Sequence, residues 1–274
     1  MLHHEIMKEV VYGLFCYYEQ MSKQFPLSDR LKDRVAIITR LVKMHRNGLL
    51  GGEIMPEDAL IGVVPDEKLP DVITLCMALN YQRNSYTLWK SAAQAFTDHE
   101  TNWVFDLSAA STAEPDELRE ALVAHKIALQ PNKHPAIWHK IASSLQQSGG
   151  AQQLILDNGS SIAQLREYVQ KTNKPNFPYL SGPKIFNYWL YVMEAYCDVK
   201  WVDREEITIA PDTHILQASV RLGIAPASVL DGSAKSRDLV AQTWKELLHG
   251  SSFAPIDVHT PLWLWSRGGF IEVE

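Results

Sequence analysis

The amino-acid sequence predicts an all-α protein, a single unit of two helical lobes over residues 1–274. Apolar residues recur at helical spacing along most of the chain, whereas the period-2 alternation typical of strands is nearly absent. No internal repeat, low-complexity tract or long linker divides the sequence. A chain of 274 residues is long enough to bury a hydrophobic core of native size.

The first half of the chain carries three helical segments. Residues 29–47 place apolar side chains on one face, and Gly48 follows as a stop. Residues 70–81 are apolar on almost every face, which is typical of a buried helix. After a polar break at 82–84, a further helix is predicted to about Phe96.

The second half continues the helical period, and Pro, Asn and Gly residues separate its segments. Two short apolar runs, residues 59–64 and 103–107, are weak candidates for strands. The predicted helices of this half cover residues 115–130, 135–147, 160–171, 183–197, 213–222 and 236–249.

The cysteines argue against a cluster of thiolate ligands. Cys16, Cys76 and Cys197 show no C-x-x-C spacing, so neither a structural zinc site nor an iron-sulfur cluster has enough ligands. Each lies in an apolar run, where a buried free thiol is expected. The sequence therefore predicts no metal site and no cofactor built on cysteine.

Charge and hydropathy restrict the location and the partners. A net charge of -6 and a pI near 5.9 argue against coating of nucleic acid through bulk charge, but a local basic groove remains compatible with them. No apolar run approaches the ~20 residues needed to span a bilayer. Charged residues interrupt the N-terminal apolar run, so it does not read as a signal peptide. We expect a cytoplasmic, monomeric protein that does not bind membranes.

The run "SGPK" places a lysine at the start of a helix. Gly182 suits a tight turn or N-cap, Pro183 suits the first helical position, and Lys184 falls in the first turn. Backbone N–H groups at such a helix start attract phosphate. The helix dipole and bulky apolar neighbours would both lower the pKa of Lys184, which favours a free amine able to form a Schiff base. A solvated surface lysine is the alternative.

The run "PDTHILQASVRLG" raises a similar question about a carboxylate. Asp212 follows Pro211 and precedes an amphipathic helix that Gly223 ends, so an ordinary N-cap is one interpretation. A carboxylate held at a reaction centre is the other, and the run alone does not choose between them.

Together the two runs resemble the helix-hairpin-helix superfamily of DNA glycosylases. The resemblance is strong over residues 160–223, with a hairpin at about 160–197, and it implies two helical lobes with the active site between them. The spacing from Lys184 to Asp212 is nearest to the archaeal 8-oxoguanine glycosylase branch and longer than in the endonuclease III branch. Leu180 stands where the family has its first hairpin glycine, so a left-handed turn is not expected there. The matching residues are Gly182, Pro183, Lys184, Pro211, Asp212, Thr213, His214, Ile215, Leu216, Arg221, Leu222 and Gly223.

The resemblance implies a catalytic role for two of these residues. Lys184 would attack C1′ of the deoxyribose and form an imine that permits strand cleavage. Asp212 would stabilise the positive charge that develops on the sugar, or help to activate the attacking group. Both steps require the target nucleotide to be flipped out of double-stranded DNA.

The resemblance also implies a base pocket and a DNA-binding surface. The closing segment at 255–265 would supply Trp263 and Trp265 for stacking, and Asp257 either bonds the base edge or caps a helix. Gln82, Arg83 and Asn84 would fill the vacated stack, or they form an ordinary loop. Lys133 and His134 hold phosphates, or belong to a solvated face. Tyr179 joins the pocket, and Leu180 and Gly182 join the hairpin contacts.

These expectations make a DNA glycosylase the leading hypothesis, with strand-cleaving lyase activity through Lys184. The excised base is an oxidised purine or a hypermodified base such as those of phage DNA, which implies repair or anti-phage defence. No cofactor is expected, although the hairpin could bind a monovalent or divalent cation. An N-glycosidase acting on a free modified nucleoside or nucleotide, and a non-catalytic DNA-binding module, are the alternatives.

Overall fold

The computed structural model describes residues 27–50 and 55–273, with side chains from residue 34, and confirms the all-α prediction. Twelve α-helices and several single-turn helices build these residues, and no strand occurs among them. Cys16 lies outside the described residues. The helices are α1 (Leu27–Arg46), α2 (Leu69–Ala78), α3 (Ser85–Thr97), α4 (Leu107–Thr112), α5 (Pro115–Ala124), α6 (His134–Ser148), α7 (Ala151–Asp157), α8 (Ile162–Glu167), α9 (Pro183–Cys197), α10 (Thr213–Arg221), α11 (Ala234–Leu248) and α12 (His259–Arg267).

Both predicted strands are wrong. Residues 59–64 begin in a 3-10 helix, Pro56–Leu60, and continue as a turn. Residues 103–107 overlap a second 3-10 helix, Asn102–Phe105. In the first run Leu60 and Val64 are buried while Ile61 is exposed, so the buried positions are four residues apart. That spacing is helical, which explains how a short apolar run imitated a strand.

Helix α5 is shorter than predicted, and two short helices were not predicted at all. The pattern indicated a helix to residue 130, but Lys126 adopts a left-handed φ of 59° and α5 ends at Ala124. Helices α4 and α7 contain only 6 and 7 residues. Such lengths are too short to establish a hydrophobic period in the sequence.

The buried apolar side chains form two clusters, here called the first and second cores. The first core spans residues 60–207 with Ile256, and α2 is buried within it on nearly every face. The second core combines residues 38–50 of the N-terminal part with residues 209–265. Hydrophobic burial therefore divides the described chain into two packed groups of helices.

The chain passes from one core to the other at Thr208. Ile207 belongs to the first core and Ile209 to the second. The buried side chain of Asn187, on α9, accepts hydrogen bonds from the backbone N–H and the hydroxyl of Thr208, at 2.9 and 3.0 Å, and donates to its carbonyl. This clamp fixes the start of α10 relative to the start of α9.

A carboxylate remote in sequence caps the first helix of the hairpin. Asp203 accepts hydrogen bonds from the Ser161 hydroxyl and from the N–H groups of Ile162 and Ala163, at 2.9, 2.7 and 3.0 Å. Helix α8 then continues as a π-helical turn, Tyr168–Thr172. Asp203 thus binds the first turn of the hairpin to the segment that leads toward Thr208.

No helix in the part of the chain that the structure describes is long and apolar enough to cross a bilayer.

We expect Asp203→Asn to lower the free energy of unfolding by about 1–3 kcal/mol, because the amide cannot accept all three hydrogen bonds. Urea denaturation measures this change. Asp198→Asn is the matched control, since Asp198 forms only an exposed pair with Lys200 and such pairs contribute little. An equal effect of the two substitutions would show that the cap does not stabilise the hairpin.

Candidate catalytic site

Lys184 lies in the first turn of α9, beyond a tight turn that ends at Gly182. The Gly182 N–H donates to the Tyr179 carbonyl at 2.9 Å. The left-handed residue of this turn is Tyr179, with φ of 61°, and Leu180 does not adopt that conformation. A Cβ on Gly182 would lie 3.1 Å from the Tyr179 carbonyl oxygen. A close approach of backbone, not a positive φ, therefore requires the glycine.

Asp212 is both an N-cap and the partner of a tryptophan. One carboxylate oxygen accepts from the Ile215 N–H at 3.0 Å and caps α10. The other accepts from the indole N–H of Trp263 at 3.1 Å. Two donors on different helices thus orient the carboxylate, which stays partly accessible.

The charges of Lys184, Asp212 and Arg237 act on one another. Lys184 is exposed as a residue, yet the surrounding protein desolvates its ammonium and lowers its pKa. The Asp212 carboxylate opposes this shift, and the nearby Arg237 guanidinium adds to it. Lys184 and Asp212 form no direct ion pair. The amine is accordingly easier to deprotonate than an ordinary lysine.

Arg237 was missed by the sequence reasoning. Its guanidinium donates to the Pro211 carbonyl and, at 3.0 Å, to the Gly232 carbonyl. It therefore supports the backbone immediately before Asp212 while holding a positive charge close to Lys184.

His259, the first residue of α12, was also missed. It is 7 % exposed, and its Nδ1 has no hydrogen-bond partner. Burial lowers the pKa of His259 and Lys184 lowers it further, whereas Asp212 and a hydrogen bond with the Ala210 backbone raise it. The site therefore contains an imidazole that favours its neutral form beside the lysine and the carboxylate.

Glu57 extends this cluster away from Lys184. The hydroxyl of Tyr188, four residues after Lys184, donates to Glu57 Oε1 at 3.0 Å. The ring of Tyr188 lies 6.0 Å from that of His259 between centroids. Glu57 is 1 % exposed, its Oε2 has no partner, and burial raises the pKa of this carboxyl to about 7.

The four predicted pocket residues are placed in different surroundings. Trp263 donates to Asp212, and the Arg267 guanidinium lies over the Trp263 ring, with Cζ 4.9 Å from the ring centroid. Trp265 is buried in the second core and donates to the Ile271 carbonyl at 2.8 Å. Asp257 forms a bidentate ion pair with Arg204 and accepts a hydrogen bond from the Ala254 N–H. Tyr179 lies apart, in the hairpin turn.

Both Trp265 and Asp257 thus have their polar groups engaged inside the protein. The Trp265 ring packs on Phe270, and Asp257 holds Arg204, which also binds Glu194 of α9. We therefore assign these two residues to structural support of the site and not to contact with a base.

The predicted intercalation loop meets the hairpin turn. Tyr81 packs on Tyr179 with ring centroids 5.3 Å apart, and the Lys133 ammonium lies 4.8 Å from the Tyr179 ring centre. Gln82 is exposed with a left-handed φ of 51°, and Asn84 caps α3 through the Thr87 N–H. The structure therefore brings Gln82, Lys133 and Tyr179 to one region of the surface.

Three predicted DNA contacts have structural roles instead. Arg83 donates to the carbonyls of Ile127 and Lys126 at 2.6 and 3.0 Å, so it holds the loop after α5. His134 is buried and accepts from the Leu129 N–H at 3.2 Å. The Leu180 side chain is fully buried in the first core. Of these residues, only the backbone of Leu180 remains a possible hairpin contact.

Cys76 and Cys197 carry free thiols, and burial raises the pKa of both. Residues 27–50 and 55–273 contain no group of three or more His, Cys, Asp and Glu that could hold a metal ion.

No protein-family model matches this chain, and no curated protein matches it either.

The raised pKa of Glu57 makes the stability depend on pH. The folded state keeps this carboxyl protonated up to about pH 7, whereas the unfolded chain ionises it near 4.5. Stability should therefore fall as pH rises from 4.5 to 7, by about 3 kcal/mol from this group.

Urea denaturation at pH 5 and pH 8 tests this. Glu57→Gln should remove most of the difference between the two pH values, whereas Glu120→Gln, on an exposed glutamate, should leave it unchanged. A Glu57→Gln protein that loses as much stability as the wild type would contradict the prediction.

Proposed function

We propose that this protein is a DNA glycosylase that excises a modified base and cleaves the strand through Lys184. The observation that supports it most directly is the pairing of a lysine of lowered pKa with the Asp212 carboxylate, at the boundary between the two cores. Neither residue lies in the other's sequence neighbourhood. The hydrogen bonds of Asn187 with Thr208 and of Trp263 with Asp212 hold the lysine and the carboxylate in position relative to each other.

The chemistry follows from these two groups. The neutral Lys184 amine attacks C1′ of the deoxyribose as the C1′–N bond to the base breaks, and the base leaves with that electron pair and takes up a proton. Asp212 stabilises the positive charge on the sugar during this step. Ring opening gives a protonated imine, and loss of the C2′ proton then expels the 3′ phosphate by β-elimination.

Attack on C1′ requires the target nucleotide to be flipped out of the duplex, and the surface near the hairpin turn supports this step. Gln82 projects from an exposed, left-handed position, where its side chain could enter the vacated stack. Lys133 and the backbone N–H groups at the start of α9 could bind the strand.

Borohydride trapping on duplexes with single modified bases tests the two catalytic roles. Lys184→Gln should abolish the trapped covalent adduct, because no other amine replaces the attacking group. Asp212→Asn should slow base release by at least about a hundredfold, since the developing charge loses its counter-ion. Lys200→Gln, on an exposed lysine, is the matched control and should trap as the wild type does.

The panel should contain oxidised purines and phage DNA with modified cytosines. Base release without a trapped adduct would assign a monofunctional glycosylase. Release from free nucleosides alone, without salt-dependent binding to duplex, would favour a nucleoside N-glycosidase. Duplex binding that yields no product and is unchanged in Asp212→Asn would favour a non-catalytic module.

Two tryptophans of α12 provide a test of how Asp212 is held. Trp263→Phe removes the indole N–H that binds Asp212, so we expect base release to slow by roughly tenfold. Trp265→Phe removes a comparable hydrogen bond to the Ile271 carbonyl, away from the site, and should lower stability without that loss of rate. Single-turnover kinetics and urea denaturation separate the two effects, and equal rates would exclude the positioning role of Trp263.

A further inference from the structure

Unpartnered buried atoms concentrate beside the catalytic pair. Among the described residues, four buried side-chain atoms have no hydrogen-bond partner, and they include Glu57 Oε2 and His259 Nδ1. These two residues contact the same side chain, Tyr188, through its hydroxyl and its ring. Since an unsatisfied buried polar atom costs free energy, a pair of them in one cluster indicates a ligand that completes their hydrogen bonds.

We propose that Glu57 and His259 recognise the flipped base by accepting hydrogen bonds from an edge that carries an exocyclic amino group. This assignment rests on the proposed glycosylase function and names its substrate class. Tyr188, which binds Glu57 through its hydroxyl and neighbours His259 through its ring, would line the pocket for this base. Amino-bearing bases, of the guanine and cytosine type, are then the substrates, and analogues that lack the amino group are rejected.

The direction of the hydrogen bonds follows from the contacts already made. A hydrogen bond with the Ala210 backbone raises the pKa of the His259 ring, and Nδ1 is the ring nitrogen without a partner, so we place the one proton of the neutral ring on the other nitrogen. Nδ1 of the neutral imidazole is therefore an acceptor. Glu57 Oε1 is occupied by the Tyr188 hydroxyl, so Oε2 is the second acceptor above about pH 7, where the carboxyl is ionised, and the release assays are therefore run at pH 8.

The position of the pair fits a base more closely than it fits the sugar. Tyr188 stands one helical turn beyond Lys184 on α9, and its partner Glu57 is buried whereas Lys184 is exposed, so Glu57 lies deeper in the protein. His259 is electrostatically coupled to both Lys184 and Asp212. A nucleotide with its C1′ at Lys184 would therefore extend its base toward His259 and Glu57.

Related bases with and without the exocyclic amino group, compared two at a time, provide the test. Single-turnover release should be measured from duplexes with 8-oxoguanine or 8-oxohypoxanthine, and with hydroxymethylcytosine or hydroxymethyluracil. One of these two comparisons should include a base that the wild type excises. In that comparison the wild type should release the base with the amino group at least about tenfold faster than the base without it. Glu57→Gln keeps an acceptor for Tyr188 but presents an NH2 group to the base, so it should remove or invert that ratio.

Two further variants separate recognition from structure. His259→Phe removes the Nδ1 acceptor while keeping an aromatic ring against Tyr188, and should also reduce the ratio. Glu120→Gln is the control, because Glu120 is an exposed glutamate outside the cluster and its substitution leaves Glu57 and Tyr188 unchanged. This control should preserve the wild-type ratio.

Abasic DNA distinguishes the possible failures, since it contains no base to recognise. Glu57→Gln should trap abasic DNA within about twofold of the wild type, which also shows that the variant is folded. If the wild type traps abasic DNA but releases both members of each pair equally, or if Glu57→Gln leaves the ratio unchanged, the recognition role is overturned and the glycosylase proposal stands. If the wild type neither traps abasic DNA nor releases any base, the glycosylase proposal fails and this assignment fails with it.

Discussion

The arrangement of the candidate site depends on one buried side chain, the amide of Asn187. It satisfies both backbone groups of Thr208 at the point where the chain leaves the first core and enters the second. An unsatisfied amide at this depth would cost free energy, so the contact holds a single geometry. Lys184 precedes Asn187 by one turn and Asp212 follows Thr208 closely, so this clamp sets the relation between the proposed nucleophile and its carboxylate.

Other contacts complete the frame around that clamp. Arg204 binds Glu194 of α9 and Asp257 before α12, and thereby connects the helix of Lys184 with the helix of Trp263. Arg237 binds the backbone at Pro211. A site between two cores needs such polar ties, since the hydrophobic effect packs each core but is not directional. Arg204 and Arg237 form such ties, so both charged side chains are engaged within the protein.

The electrostatics of the cluster suit a reaction that begins with a neutral amine. Desolvation lowers the pKa of Lys184 and of His259, and raises that of Glu57. Each shift favours the uncharged form, as expected where water is excluded. Asp212 receives two hydrogen bonds from donors on different helices, and in the proposed reaction it would face the developing cation.

The sequence by itself determined the all-α class, most helix bounds and the caps at Gly182 and Asp212, because periodicity and capping are local properties of the chain. Only the tertiary structure decided which polar groups remain available for chemistry. Arg83 and Asp257 bind partners more than 40 residues away in sequence, and His134 is buried and accepts from the nearby Leu129 N–H. Glu57 and His259, which no local pattern distinguishes, each keep an unpartnered atom beside Tyr188. Tyr188 was the one available signal, since it lies on the Lys184 face at a spacing of four residues. Hydrogen-bond saturation is a property of three-dimensional packing, and a pattern of residues along one chain does not encode it.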